Sequence, residues 1–131
     1  MTTQPATINF RMYPDATFSE VTTLLDSEGD PVDLSAKTAL MHIRRDRDDV
    51  FHIFELSTAD GSITLAADGA ITLNIPATQT YPVLSPAIDR DGEMWFHDLL
   101  ITDPTTTPPT VDRLYQGSVI VFPGITKPPA P

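Results

Sequence analysis

The sequence predicts an all-β protein, a sandwich or a barrel, on three observations. Thirteen prolines and many threonines oppose helix, since proline costs about 3 kcal/mol in a helix interior and threonine loses side-chain freedom there. Apolar and polar residues alternate over short runs, which is the period of a half-buried strand. Asp60-Gly61 and Asp68-Gly69 stand about eight residues apart between such runs, and turn signals at this spacing belong to sandwiches and barrels.

The elements follow in order. Residues 7–12 form a first strand with Ile8, Phe10 and Met12 on one face. Pro5 and Pro14 bracket it, so it belongs at a sheet edge. Residues 16–25 form the second. Phe18 and Leu24 share one parity there and Val21 and Leu25 the other, which predicts a bulge or burial on both sides. Asp26-Ser27-Glu28-Gly29 breaks the pattern with residues that hydrogen-bond nearby backbone or accept positive φ. A Pro31-Val32-Asp33-Leu34 connector leads to a third strand at residues 38–45, where Ala39, Met41 and Ile43 alternate with Leu40, His42 and Arg44. Leu24 to Arg45 thus reads as a hairpin-like pair that starts the sandwich.

A charged turn over residues 45–49 precedes a fourth strand at residues 50–56. Val50, His52, Phe54 and Leu56 share one face and Phe51, Ile53 and Glu55 the other, so cover on both faces or an interface is expected. Two short strands follow at residues 62–65 and 70–75, joined by Ala67-Asp68-Gly69, a strong hairpin signal. Residues 76–86 are irregular, with one helical turn at residues 78–81, because Pro82 and Pro86 oppose a longer helix. After a turn at Asp89-Arg90-Asp91-Gly92 comes the most hydrophobic strand, residues 93–102. Trp95, His97, Leu99 and Ile101 line one face, and Met94, Phe96, Asp98 and Leu100 the other. A Thr/Pro loop leads to the last long strand, residues 111–122, in which Gly117 marks a bulge or a close backbone approach. Residues 1–122 make one domain, and residues 123–131 an extended, Pro-rich, polyproline-like arm.

Composition bounds the function. At 131 residues a single domain buries enough surface to fold without staples. The absence of cysteine excludes a disulfide framework and thiolate metal ligation. Eighteen acidic against eight basic residues give a net charge of −10, which opposes binding to a phosphate backbone. The basic residues cluster at Arg44, Arg45 and Arg47, interleaved with Asp46, Asp48 and Asp49, and read as a solvated hairpin end. The first residues lack a signal-peptide pattern, and no run approaches the length of a membrane span. A soluble protein without nucleic-acid or membrane partners is expected.

Catalytic signals are sparse. His42, His52 and His97 fall in separate predicted strands without a linking carboxylate pattern. They read as packed or surface histidines rather than a zinc site. Gly117-Ser118 is mid-strand and lacks the elbow of a serine hydrolase. Asp26 to Asp30 with Asp33 resembles part of a calcium loop but lacks the ligand spacing of an EF-hand. Turn chemistry accounts for these residues, and likewise for Asp89 to Glu93. The expectation is a protein that is not an enzyme, with no catalytic residue, metal or cofactor.

The second strand faces say more. If Trp95, Leu99, Val119 and Val121 point inward, then Met94, Phe96, Leu100, Ile120 and Phe122 point outward. Large exposed apolar patches mark interfaces, so these faces either meet a partner or lie under a loop from residues 81–88.

Phe18, then Asp26-Ser27-Glu28-Gly29-Asp30-Pro31-Val32-Asp33-Leu34, then Thr38-Ala39-Leu40-Met41-His42-Ile43-Arg44 resembles a family of tailed-bacteriophage virion proteins. Its members carry a D-x-x-G-x-P-V-D-L-(T/S)-x-x-x-A-x-M-x-I-R run. Leu56-Ser57-Thr58, Gly69-Ala70-Ile71-Thr72-Leu73, Asp98-Leu99 with Ile101-Thr102, and Arg113-Leu114 with Gly117 and Val119 match in order. The likeness extends over residues 18–121. The family looks like the immunoglobulin-like N-terminal domain of baseplate upper proteins. The resemblance implies an immunoglobulin-like antiparallel β-sandwich of about seven to nine strands. It also implies a structural, non-enzymatic role as a tail, baseplate or neck adaptor.

Such an adaptor, made in the host cytoplasm and resident in the virion, would assemble with other virion proteins and with its own copies. The expected contacts are Phe96, Leu100, Ile120 and Phe122, with Ile125, Lys127, Pro128 and Pro129 of the arm, which suits strand addition. The alternatives are a head-decorating cement protein and, from another class, a carbohydrate-binding module. The last needs exposed aromatics, whereas Trp95 is expected inward. The chain departs from the family by ending after one domain, so that no fibre or receptor-binding module is expected to follow, and by an insert-like segment at residues 81–91.

Truncation after Pro123 is expected to leave the melting temperature unchanged and to weaken incorporation into particles. An unchanged particle content would remove the arm from assembly.

Overall fold

In most of the strands one set of alternate residues is buried and the other faces water. The computed structural model describes residues 6–13, 16–48, 50, 52–84 and 93–122. The expected arm with Ile125, Lys127, Pro128 and Pro129, the turn at Asp89 to Gly92 and residues 85–88 of the covering loop lie outside the described residues. The elements are β1 (Ala6–Thr7), β2 (Phe10–Met12), β3 (Phe18–Thr23), β4 (Thr38–Arg44), β5 (Phe54–Ser57), β6 (Ile63–Leu65), β7 (Ala70–Ile75), α1 (Ala77–Leu84), β8 (Glu93–Asp103) and β9 (Thr110–Val121).

These strands make two sheets packed face to face. The larger runs β1-β9-β8-β4-β5, with β2 also on β9, and the smaller runs β3-β7-β6. Met41, Ile43, Trp95, Leu99, Val119 and Val121 of the first and Phe18, Ile63, Ile71, Leu73 and Ile75 of the second share one buried cluster. The protein is therefore an all-β sandwich, as the alternation and turn spacing predict. The inward faces of β4, β7 and β8 are those the sequence assigns.

The Leu24 to Arg45 stretch is not a hairpin-like pair. Its two strands belong to different sheets: β3 pairs with β7, and β4 with β5 and β8. Hairpin geometry is confined to a small loop closed by the Leu25–Pro31 bridge and by Asp26 N–H donating to the Asp30 carbonyl at 2.8 Å. The chain then crosses between the sheets with Leu34 fully buried, its N–H donating to the Ala66 carbonyl at 3.2 Å. Nor is β3 bulged or buried on both sides. Its register with β7 is unbroken, and Val21 is 61% exposed.

The fourth strand begins at Phe54 rather than Val50. The Arg44 guanidinium donates to the Val50 carbonyl at 2.8 Å, drawing Val50 into the turn, where it is 84% exposed. Only Phe54 and Leu56 of β5 are buried, so this strand is covered on one side. Helix α1 is longer than the expected single turn and continues through Pro82 to Leu84. Its Thr80 is fully buried and its hydroxyl donates to the Ala16 carbonyl at 3.0 Å, anchoring the helix to the lead-in of β3.

The first strand sits at the edge as expected, but in two pieces that run parallel to β9. The break at Ile8-Asn9 lies against Gly117, where a Cβ would collide with the Ile8 carbonyl and approach Asn9 Oδ1 to 2.8 Å. Gly117 therefore marks a close approach. The irregularity in the β8–β9 ladder lies elsewhere, between Leu99 and Leu100. Asn9 Oδ1 accepts from the Ser118 N–H at 3.0 Å and its hydroxyl at 3.1 Å, and the Ile8 N–H donates to the Gln116 carbonyl at 2.9 Å.

Gly117→Ala is expected to lower unfolding free energy by about 1–3 kcal/mol, the usual cost of forcing a methyl into filled space. Urea denaturation measures it, and an unchanged midpoint would contradict the close approach.

Candidate functional site

The period of two that buries Met41, Leu99 and Tyr115 turns His42, Asp98 and Gln116 outward on the larger sheet, in register across β4, β8 and β9. These residues line a shallow depression of about 250 Å³ with Thr7, Arg44, Arg47 and Phe96. Its floor is polar. Arg113 Nε donates to Asp98 Oδ2 at 3.1 Å.

This polar row divides the expected apolar face. Phe96 and Leu100 are both half-buried on β8 and lie on either side of Asp98. Leu100 pairs with Leu40, while Met94, 58% exposed, pairs with Ile120, 36% exposed. Phe122 stacks on Tyr13 with ring centres 5.7 Å apart. The predicted contact residues in the described chain thus form separate apolar patches flanking a polar seam. Trp95 is buried inward, as expected.

The arginine cluster is more than a solvated turn. The Arg47 guanidinium lies 4.9 Å from the centre of the Phe96 ring, and that of Arg45 5.8 Å from Trp95. Both distances are within reach of cation–π attraction. The arginines therefore cover the aromatic end of β8.

The sequence reading missed one cluster. β4 and β5 pair antiparallel with His42 opposite Glu55. His42 Nε2 stands 3.6 Å and His52 Nε2 3.5 Å from the same Glu55 Oε2. The two imidazoles stack at 4.4 Å, and an Arg44 N–H donates to His42 Nδ1 at 3.0 Å. Among the described residues these three side chains are a group able to hold a metal ion. A strand from Val50 would place His52 opposite Glu55 in facing; a strand from Phe54 releases His52 from that alternation. Burial, followed by the nearby His52 and Arg44, holds the His42 pKa below the usual histidine value, while Glu55 and Asp98 oppose the shift.

His97 is not part of this group. It is buried beside Phe10 and Tyr115, and its Nε2 donates to the Ile8 carbonyl at 2.7 Å. Its Nδ1 is buried without a partner. Burial lowers its pKa, against the smaller opposing effects of the Ile8 carbonyl and Asp98. Across the core, the Tyr115 and Thr22 hydroxyls are near one another without a well-formed hydrogen bond, and burial pushes the phenol up to about 12.

The acidic turn follows Asp-turn chemistry. Asp26 Oδ1 accepts from the N–H groups of Glu28 and Asp30, each at 2.9 Å. Asp33, Asp60 and Asp103 each accept from both the hydroxyl and the N–H of the Ser or Thr two residues on. The hydroxyl bond is the main cause of the lowered pKa in all three. No helix among the described residues is long and apolar enough to cross a membrane. No protein-family model matches the chain, and a search of curated proteins gives no match.

The sign of the histidine effect follows from linkage. His97 titrates near pH 6.5 when unfolded and lower when folded, so below that pH the unfolded chain binds more protons. Stability is full above the unfolded value and is lost as pH falls through it towards the folded value. Acidification from about pH 7.5 to 5.5 is expected to lower the melting temperature. His97→Gln keeps an N–H donor and removes the titration, so its melting temperature should fall less over this window. An identical fall would clear His97 of the effect.

Proposed function

We propose that this chain is a structural, non-enzymatic component of a tailed-phage particle, a tail, baseplate or neck adaptor built on an immunoglobulin-like sandwich. The observation that carries the reading is the residue 26–44 run, the best match to the virion family. It folds as the crossing from the smaller sheet to the larger one and so sets the topology.

The sheet order supports the immunoglobulin-like assignment. Strands β3, β7 and β6 stand where B, E and D stand in such domains. Strands β4, β8 and β9 stand as C, F and G, with β5 as C′ beside C. The first strand differs from the constant-type pattern by joining β9. The domain also lacks the cysteine pair of antibody domains.

A rigid sandwich suits an adaptor because it presents the same outer surface to every neighbour. The larger sheet offers Phe96, Leu100, Ile120 and Phe122 there, interrupted by charge. Polar interruption of an apolar contact surface gives orientation, since a misplaced partner would leave Asp98 or Arg113 facing an unsuitable group. The Pro-rich arm, residues 123–131, is proposed as a further contact on its sequence.

Quantitative mass spectrometry of purified particles carrying this protein tests the assignment. A copy number matching the tail symmetry is expected. A number matching the capsid lattice would favour a head-decorating protein, and absence from the particle would overturn the virion reading.

A further inference from the structure

Two imidazoles and one carboxylate converge outside the β4–β5 pair, and the spacing of their ligating atoms is informative. Charge-assisted hydrogen bonds would draw a histidine nitrogen and a carboxylate oxygen to about 2.7–2.9 Å. Here Glu55 Oε2 lies 3.6 Å from His42 Nε2 and 3.5 Å from His52 Nε2. All three ligand atoms fall within 4.8 Å of one another. A tetrahedral zinc ion bound at about 2.0–2.1 Å separates its ligand atoms by about 3.4 Å. These two separations are nearer to those around a shared ion than to direct hydrogen bonds.

We propose that His42, His52 and Glu55 form a zinc site with its fourth position open to solvent. The donor set fits the metal. Imidazole with carboxylate suits zinc, whereas calcium takes six to eight oxygens and magnesium an octahedral oxygen shell. The local fold supports the geometry. Cross-strand register holds His42 opposite Glu55, and His52 reaches the same oxygen from three residues earlier. The two rings stack with their centres 4.4 Å apart, and each presents its Nε2 atom to that oxygen.

Arg44 sets the condition for binding. Arginine only donates, so its 3.0 Å bond to His42 Nδ1 assigns the proton of the neutral ring to Nε2. Ligation through Nε2 exchanges that proton, through solvent, for one on Nδ1. The ring remains neutral and no net proton is released. The Arg44–Nδ1 bond breaks, while the Arg44 bond to the Val50 carbonyl at 2.8 Å can persist. The site is independent of the phage assignment.

Calorimetric titration of the full chain with zinc chloride, in a non-coordinating buffer near neutral pH, tests the proposal. Equimolar, saturable binding is expected. His52→Ala and Glu55→Gln should each weaken it at least about tenfold, a loss typical even of residues that only support a ligand. Both side chains are exposed, so these variants should keep the parent's circular dichroism. Histidine-selective NMR of the unaltered chain gives a second measurement, in which the His42 and His52 ring signals move with zinc and that of His97 does not. Undiminished binding by both variants, movement of His97 alone, or the absence of saturable binding would overturn the assignment.

Discussion

Once Met41, Ile43, Trp95, Leu99, Val119 and Val121 enter the space between the sheets, alternation leaves little choice about what faces out. Their neighbours His42, Arg44, Phe96, Asp98, Leu100 and Ile120 must line the opposite side. The core and the outer surface of the larger sheet are thus two readings of the same three strands. A one-residue slip of β8 against β4 would bury Asp98 and expose Leu99, losing apolar burial and desolvating a carboxylate together. That double penalty holds the register, and the register holds His42 opposite Asp98.

The first strand depends on a second, more local arrangement. It meets β9 in parallel and is broken at Ile8-Asn9, where the Ile8 backbone and the Asn9 side-chain oxygen find partners. Ile8 donates to Gln116 and accepts from His97, while Asn9 accepts from Ser118. Gly117 makes room for the break. A buried neutral histidine is well suited to this position because it supplies one N–H to a carbonyl amid apolar rings. Its cost is an Nδ1 that a proton cannot reach without an unmatched buried charge. The fold thereby joins the edge-strand attachment to an imidazole whose protonation is opposed by burial.

Charge on the larger sheet is distributed with purpose despite the net charge of −10. The arginines after β4 cover aromatic rings, Arg113 pairs with Asp98, and the imidazoles gather at Glu55. The apolar residues proposed for contact are consequently separated into patches by polar groups. A surface of this kind gives a partner an orientation as well as an area. The three Asp-x-Ser/Thr turns, at Asp33, Asp60 and Asp103, close loops with local hydrogen bonds and leave the sheet faces to the strands.

Strands whose information is local could be read from the chain before folding. The alternating faces of β4, β7 and β8 and the hairpin turn at Asp68-Gly69 were legible because side-chain period and turn chemistry act over a few residues. Sheet membership was not. The chain on either side of Asp26 to Leu34 has the pattern of a paired hairpin, and only burial of Leu34 between the sheets carries its strands to different partners. The candidate metal group was equally hidden. His42, His52 and Glu55 have no revealing spacing, and where β5 begins depends on the hold of Arg44 on Val50. Gly117 was legible as a special position, yet its partner at Ile8 lies at the other end of the chain. These features arise only on folding, because long-range pairing and burial join residues whose local patterns contain no record of one another.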